Sequence, residues 1–287
     1  MQTREIQTVG IIGAGTMGQG IAQVCASAGF STLLYDVNAE GLAHGLAAIK
    51  KNLEVAVEKK KISKVQEDET VSRIRLVKTL SEMKADLVIE AVVEKLEVKQ
   101  KLFVELEQLN QGTAILATNT SSIPITQIAS VLKNPASCIG LHFFNPVNIM
   151  KLVEVISGVA TDPSLVSQLK DFSIRLGKTP VVAKDSPGFI VNRVARHFYV
   201  ESLKVLEEKI ADVSTIDQLM ESAGFKMGPF KLMDLIGVDT NFSVTSSMYN
   251  SFHQDSKFRP SRIQQQKVDA GHWGKKTGKG FYDYPQS

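Results

Sequence analysis

The chain has 287 residues, 43% hydrophobic and 22% charged, an ordinary composition for a globular protein long enough to bury a core without disulfide or metal staples. Its net charge of +3 is too small to argue for a nucleic-acid partner, and it has no apolar run long enough (about 18 residues) to span a membrane. Its 2 cysteines lie far apart in apolar runs, which argues against a disulfide scaffold, a zinc site or a redox pair and fits a reducing, cytoplasmic setting.

In chain order, a strand is predicted at residues 9–12, a helix at 17–28 closed by Gly29, and a second strand at 32–35. Asn38 is placed to cap a long helix ending near Lys60, where Lys59, Lys60 and Lys61 suit the negative end of the helix dipole. A short helix at 68–73 and strands at 75–78, 87–90, 114–117 and 139–142 follow, with a helix at 97–109 between the second and third of these. Strands at 151–156 and 180–183 flank a helix at 165–176. This alternation predicts an α/β fold, a Rossmann-like doubly wound, mainly parallel sheet. The texture changes at Asp185-Ser186-Pro187-Gly188, beyond which helices are predicted at 190–208, 213–223, 230–236, 240–252 and 262–270, with no convincing strand until the tail. The expected domains are residues 1–185, which bind a dinucleotide, and 186–287, which are all helical. Only a few polar residues precede the first strand, so no leader peptide is expected unless one was already removed.

Gly13-Ala14-Gly15-Thr16-Met17-Gly18 follows a predicted strand and opens a helix. Gly13 permits the tight turn, Gly15 admits a pyrophosphate to the backbone, and Gly18 lets helix and strand pack closely. Alone, such a motif is weak evidence and can be a mere glycine-rich turn. Here Asp36 ends the next strand, where a carboxylate accepts hydrogen bonds from ribose hydroxyls and repels a 2′-phosphate. The combination predicts NAD as cofactor, in preference to NADP.

Polar residues cluster where later strands end: Asn119-Thr120-Ser121-Ser122, His142-Phe143-Phe144-Asn145-Pro146 and Lys151-Leu152-Val153-Glu154. Ligands of open α/β sheets bind outside the carboxyl ends of strands. Dehydrogenation of an alcohol needs a base for the hydroxyl proton, a task suited to histidine, and a carboxylate to fix the ring tautomer. His142 and Glu154 flank a Pro/Asn turn, and they meet if the two segments pair as antiparallel neighbours. Taken singly, His142 reads as a satisfied core histidine, and Ser121 or Ser122 as a cap on a helix starting near Pro124.

These segments, with Glu90-Ala91-Val92-Val93-Glu94, Asp185-Ser186-Pro187-Gly188-Phe189-Ile190-Val191-Asn192-Arg193 and Lys275-Lys276-Thr277-Gly278-Lys279-Gly280, resemble the L-3-hydroxyacyl-CoA dehydrogenases. The resemblance covers essentially the whole chain, and the length suits the bacterial 3-hydroxybutyryl-CoA dehydrogenases. It implies His142 as general base and acid, Glu154 as its partner, and Ser121 and Asn192 at the substrate's 3-oxygen. It also implies that Glu94, Lys99, Asn119, Asn145 and Lys276 line the nicotinamide or its ribose, and that Asn52 and Lys59 meet the CoA moiety. A homodimer formed through the helical domain is implied too. Two other readings stand beside it. One is a dehydrogenase of free 3-hydroxyacids, which would need a lysine where Asn192 and Arg193 stand. The other is a non-catalytic NAD-binding structural protein. By default Lys59–Lys61 is a solvated helix end, and Lys275, Lys276 and Lys279 a charged turn.

Overall fold

Short β-branched runs separated by amphipathic helices build one sheet here. The structure, a computed structural model, describes residues 5–285. Strands β1 (Thr8–Ile12), β2 (Ser31–Tyr35), β3 (Ile74–Val77), β4 (Leu87–Glu90), β5 (Ile115–Thr118), β6 (Cys138–Phe143), β7 (Leu152–Ser157) and β8 (Thr179–Lys184) lie in the order β3-β2-β1-β4-β5-β6-β7-β8. Neighbours are parallel except β6 and β7, which are antiparallel. The link between those two, residues 144–151, is too short for the crossover that a parallel pair requires. Helices α1 (Thr16–Ser27), α2 (Ala39–Glu58), α3 (Lys64–Ser72), α4 (Leu96–Leu109), α5 (Ile125–Ala129) and α6 (Pro163–Arg175) belong with the sheet. The predicted doubly wound architecture is therefore present.

Strand interiors such as Val9, Ile11, Leu87, Ile89 and Leu141 are fully buried and pack with Ile21, Ile49 and Leu169 of the helices. Each such side chain contributes about 1.5–3 kcal/mol relative to exposure. Asn38 caps α2 as predicted, its side chain accepting from the amides of Glu40 and Gly41 at 3.0 and 3.3 Å. α3 starts earlier than the apolar pattern indicates. Ser63 and Gln66 form a reciprocal capping box at its first turn, so local side-chain hydrogen bonds, not hydrophobic spacing, set that boundary.

The chain divides into two compact units, Met1–Ser186 and Pro187–Ser287. The second contains α7 (Val191–Glu207), α8 (Val213–Ser222), α9 (Pro229–Ile236), α10 (Val238–Ser251) and α11 (Arg262–Asp269). Tyr199, Leu203, Ile216, Phe230 and Met233 form its core. Two buried carboxylates organise it. Asp217 accepts from the amides of Phe230 and Lys231 at the start of α9 and from the Tyr282 hydroxyl. Asp234 accepts from the amides of Phe281 and Tyr282 and from the Tyr284 hydroxyl. The carboxyl-terminal tail is thus bound to the helices by polar bonds.

Candidate active site

At the β1–α1 turn, Gly13 has φ 100°, and a Cβ there would stand 2.5 Å from the Ala91 carbonyl oxygen. A Cβ on Gly18 would collide with the carbonyl of Gly13. Gly15 differs, because a Cβ on it would meet nothing within 4 Å. Glycine there is not required by protein packing, and it leaves the amino end of α1 open to an incoming group. No acidic side chain lies in the first turn of α1, so the positive end of its dipole is not neutralised locally. Asp36 holds the turn in shape, its Oδ2 accepting from the Ala14 amide at 2.7 Å and its Oδ1 from the Asn38 amide at 2.9 Å. A cavity of about 640 Å³, bordered by Gly13, Gly15, Asp36, Val37, Val92 and Val98, lies beside it. These residues fit a dinucleotide.

The ends of β4 and β5 carry a buried ionic cluster. Glu90 is fully buried and accepts from the Lys99 ammonium at 2.5 Å, the Thr118 hydroxyl at 2.7 Å and the Val92 amide at 2.7 Å. Lys99, 1% exposed, also lies 3.2 Å from Glu94. Glu94 in turn accepts from the Thr120 hydroxyl and from the amides of Ser121 and Ser122 at 3.0 and 3.2 Å. Burial raises the Glu94 pKa, but the Lys99 charge and these donors outweigh it and hold the carboxyl below the usual range. Glu94 therefore fixes the loop bearing Ser121. Sequence reading gave Glu90 no role. Its signal was a carboxylate closing an all-apolar strand, which demands a cationic partner within reach. The amides of Ile125 and Thr126 at the start of the next helix donate to Asp185 at 3.0 and 2.8 Å, while the Ser122 hydroxyl donates to Glu94 at 3.1 Å.

His142 and Glu154 are direct register partners on the antiparallel strands β6 and β7. Cross-strand partners share one face of the sheet. His142 Nδ1 lies 2.7 Å from Glu154 Oε2, with His142 6% and Glu154 0% exposed. A carboxylate accepts, so Nδ1 carries the hydrogen. The ring packs on Phe144 with centroids 4.5 Å apart. Asn119 ties β5 to this strand, its Oδ1 accepting from the Phe143 amide at 2.8 Å. Asn145 opens the turn after β6 and precedes a cis proline, Pro146. Lys178, buried, donates to the carbonyls of Val147 and, at 2.9 Å, Met150, bracing that turn.

A second cavity of about 710 Å³ is bordered by Gln23, Asn52, Lys59, Arg73, Asn148 and Ile149. Asn52 and Lys59 thus share one hollow with residues of the turn after His142. Asn52 donates to Gln23 at 3.5 Å. The helical unit holds the two remaining predicted residues. Asn192 is half-buried in the first turn of α7. Lys276 pairs with Asp239, its ammonium 2.7 Å from Oδ1, and lies 5.3 Å from the centre of the Trp273 ring.

Residues 8–186 match the family model described as 3-hydroxyacyl-CoA dehydrogenase, NAD binding domain, and residues 188–284 match that of the 3-hydroxyacyl-CoA dehydrogenase C-terminal domain. The chain belongs to the 3-hydroxyacyl-CoA dehydrogenase family. It is 48% identical over 281 residues to a 3-hydroxyadipyl-CoA dehydrogenase of Escherichia coli, covering 97% of this chain but only 59% of that protein. It is 44% identical to a 3-hydroxybutyryl-CoA dehydrogenase of Bradyrhizobium diazoefficiens, covering 97% of this chain and 96% of that one. The crystal structure of (S)-3-hydroxybutyryl-CoA dehydrogenase from Ralstonia eutropha superposes with a TM-score of 0.95 at 38% identity, covering 98% of this chain and 100% of that one. Family membership makes NAD the cofactor and the chain an oxidoreductase. Among the described residues no helix is long and apolar enough to cross a membrane.

Proposed function

We propose that the protein catalyses the reversible oxidation of a short-chain (3S)-3-hydroxyacyl-CoA, such as 3-hydroxybutyryl-CoA, to the 3-oxoacyl-CoA. The observation that carries this reading is the buried 2.7 Å pair of His142 and Glu154 on antiparallel strands of a sheet that also bears a dinucleotide turn. NAD, when bound, supplies the hydride acceptor. In oxidation His142 Nε2 takes the proton of the 3-hydroxyl, and Glu154 stabilises the imidazolium that results. In reduction the same nitrogen returns the proton. Ser121 and Asn192 orient the oxygen on which charge develops, Ser121 from a loop that Glu94 holds by its amide. Asn119, Asn145, Lys99 and Lys276 serve the nicotinamide end, Lys99 by neutralising Glu90 and Glu94. The cavity bordered by Asn52 and Lys59 supports a CoA site, since a lysine there complements phosphate charge.

The functional unit in this reading is a homodimer of a cytoplasmic enzyme. The two cysteines, Cys25 and Cys138, are both buried and free, which suits a reducing compartment. Absorbance at the NADH band tests the reading, using acetoacetyl-CoA and free acetoacetate with NADH. Consumption with the thioester alone is expected. Turnover of the free acid would favour the 3-hydroxyacid dehydrogenase alternative, and no turnover of either would favour a non-catalytic protein.

A further inference from the structure

Strand β4 runs through three buried apolar residues, Leu87, Val88 and Ile89, and then ends in Glu90, which is fully buried too. Both Glu90 oxygens accept hydrogen bonds, Oε1 from the Lys99 ammonium and the Val92 amide, Oε2 from the Thr118 hydroxyl. The Thr118 oxygen itself accepts from the Thr120 amide, so its hydrogen is turned to Glu90 and the carboxyl carries no proton. Lys99 lies 3.2 Å from Glu94 as well, whose carboxyl its donors keep ionised. One ammonium thus serves two carboxylates, and the cluster keeps one net negative charge. A buried anion in excess is costly, and Glu94 alone would neutralise Lys99. Glu94 also holds the Ser121 loop, so that task does not account for Glu90.

The position of the cluster in the sheet supplies a reason for the second carboxylate. Glu90 is the register partner of Ile12, which leads into the dinucleotide turn, and of Thr118 on β5. The next strand, β6, bears His142. Adjacent strands are about 4.8 Å apart. A cofactor with its pyrophosphate on the β1–α1 turn and its hydride exchanged beside His142 therefore has its nicotinamide over the ends of β4 and β5. The approach is open there, because Val92, whose amide is bonded to Glu90, borders the same cavity as Gly13 and Gly15. Glu90 needs no contact with the ring, since a charge acts through its field. Nicotinamide is cationic when oxidised and neutral when reduced. We propose that Glu90 sets the redox preference of the bound cofactor: the excess negative charge it gives the cluster stabilises the oxidised ring relative to the reduced one. The inference rests on the proposed function for the place of the ring. The charges balance over the reaction. The hydride leaving C3 neutralises the ring, and the hydroxyl proton turns His142 into an imidazolium. One positive charge vanishes beside β4 and β5, and one appears on β6. Each place has its own carboxylate, Glu90 at the first and Glu154 at the second. Lys276, assigned to the nicotinamide end, is paired with Asp239, and that pair brings no net charge.

The test is the dissociation constant of NAD+ and of NADH, measured by calorimetry without acyl-CoA for the wild type, Glu90→Gln, Glu94→Gln and Thr118→Val. Two unit charges about 10 Å apart at an effective dielectric constant of about 20 change an equilibrium constant on the order of tenfold. Glu90→Gln should therefore raise the ratio of the NAD+ constant to the NADH constant by about tenfold. Glu94→Gln removes the same charge from a more exposed side chain and should raise the ratio by a smaller factor. Thr118→Val removes a hydrogen bond to Glu90 but no charge, so the ratio should stay at the wild-type value whatever happens to the two affinities. An unchanged ratio in Glu90→Gln would overturn the proposal; if that variant does not fold, an unchanged ratio in Glu94→Gln would do so. An equal rise in Thr118→Val would also overturn it, marking the cluster as packing alone. Neither affinity involves the thioester, so failure here is distinguishable from failure of the substrate reading, which turnover of acetoacetyl-CoA decides.

Discussion

In the proposed mechanism His142 depends for its chemistry on Glu154. Its Nδ1 is occupied by a fully buried carboxylate at 2.7 Å, so the ring has one tautomer and one orientation. A positioned general base contributes typically ~10²–10⁴ in rate, and His142→Gln should lower kcat by that order while NAD affinity, measured by quenching of protein fluorescence or calorimetry, stays near wild type. A kcat close to wild type would remove the histidine from the mechanism. Glu154→Gln keeps the shape but loses the charge, so it should be slow and should show an altered pH profile of kcat. An unchanged rate and profile would remove the carboxylate's role. Glu94 works differently. It bonds the Thr120 hydroxyl and the amides of Ser121 and Ser122, so Glu94→Gln keeps one acceptor oxygen but no longer neutralises Lys99. The expected outcome is a fall in kcat of about tenfold or more, with thermal stability less affected; a variant that turns over normally would detach the loop from the reaction.

At the scale of elements, the turn joining β6 and β7 is the informative piece. It connects the strands of the His142–Glu154 pair and, through Asn148 and Ile149, borders the cavity that contains Asn52 and Lys59. Lys178 braces it from within by donating to the Val147 and Met150 carbonyls. Burial lowers the Lys178 pKa, so the bond to the turn is made at a desolvation cost. Lys178→Met leaves the buried Val147 carbonyl without this donor, a loss of about 1–3 kcal/mol. The midpoint of urea unfolding should fall accordingly, and KM for the acyl-CoA should rise more than KM for NAD. An unchanged midpoint would show that water replaces the ammonium without loss. The β1–α1 turn is constrained in another way: Gly18 has no room for a side chain, since a Cβ would meet the Gly13 carbonyl. Gly15 has such room, so protein packing does not require glycine there.

For the whole molecule, the helical unit rests on polar bonds as much as on apolar packing. Tyr282 and Tyr284 donate to the buried carboxylates of Asp217 and Asp234. Burial first, and then these carboxylates, raise both phenol pKa values above the ordinary one. A group whose folded pKa is raised contributes stability that is fully present below its unfolded pKa, about 10 for tyrosine. That stability is lost as pH rises from there through the folded value. The protein should therefore lose stability in the alkaline range above about pH 10, and Tyr282→Phe with Tyr284→Phe should flatten that part of the curve. Thermal unfolding followed by circular dichroism from neutral to alkaline pH tests this, and an identical alkaline slope in the double variant would exclude the tyrosines as its source.

Much of this protein is written in local sequence. The alternation of apolar strands with amphipathic helices, Asn38 as a cap, the glycines after β1 and Asp36 after β2 depend on neighbours a few residues away, so spacing alone discloses them. The start of α3 was missed because a capping box, not an apolar stripe, defines it. Nearby serines are candidate caps for α5, whereas its amide donors turn to Asp185, some 60 positions along the chain. Contacts of this long-range kind were decided only by the tertiary structure. Which glutamates neutralise Lys99 and which loop Glu94 holds depend on how strands and helices are stacked. The sequence names which residues can carry charge and hydrogen bonds; burial then dictates which of them must find partners, and the fold determines which partners are within reach.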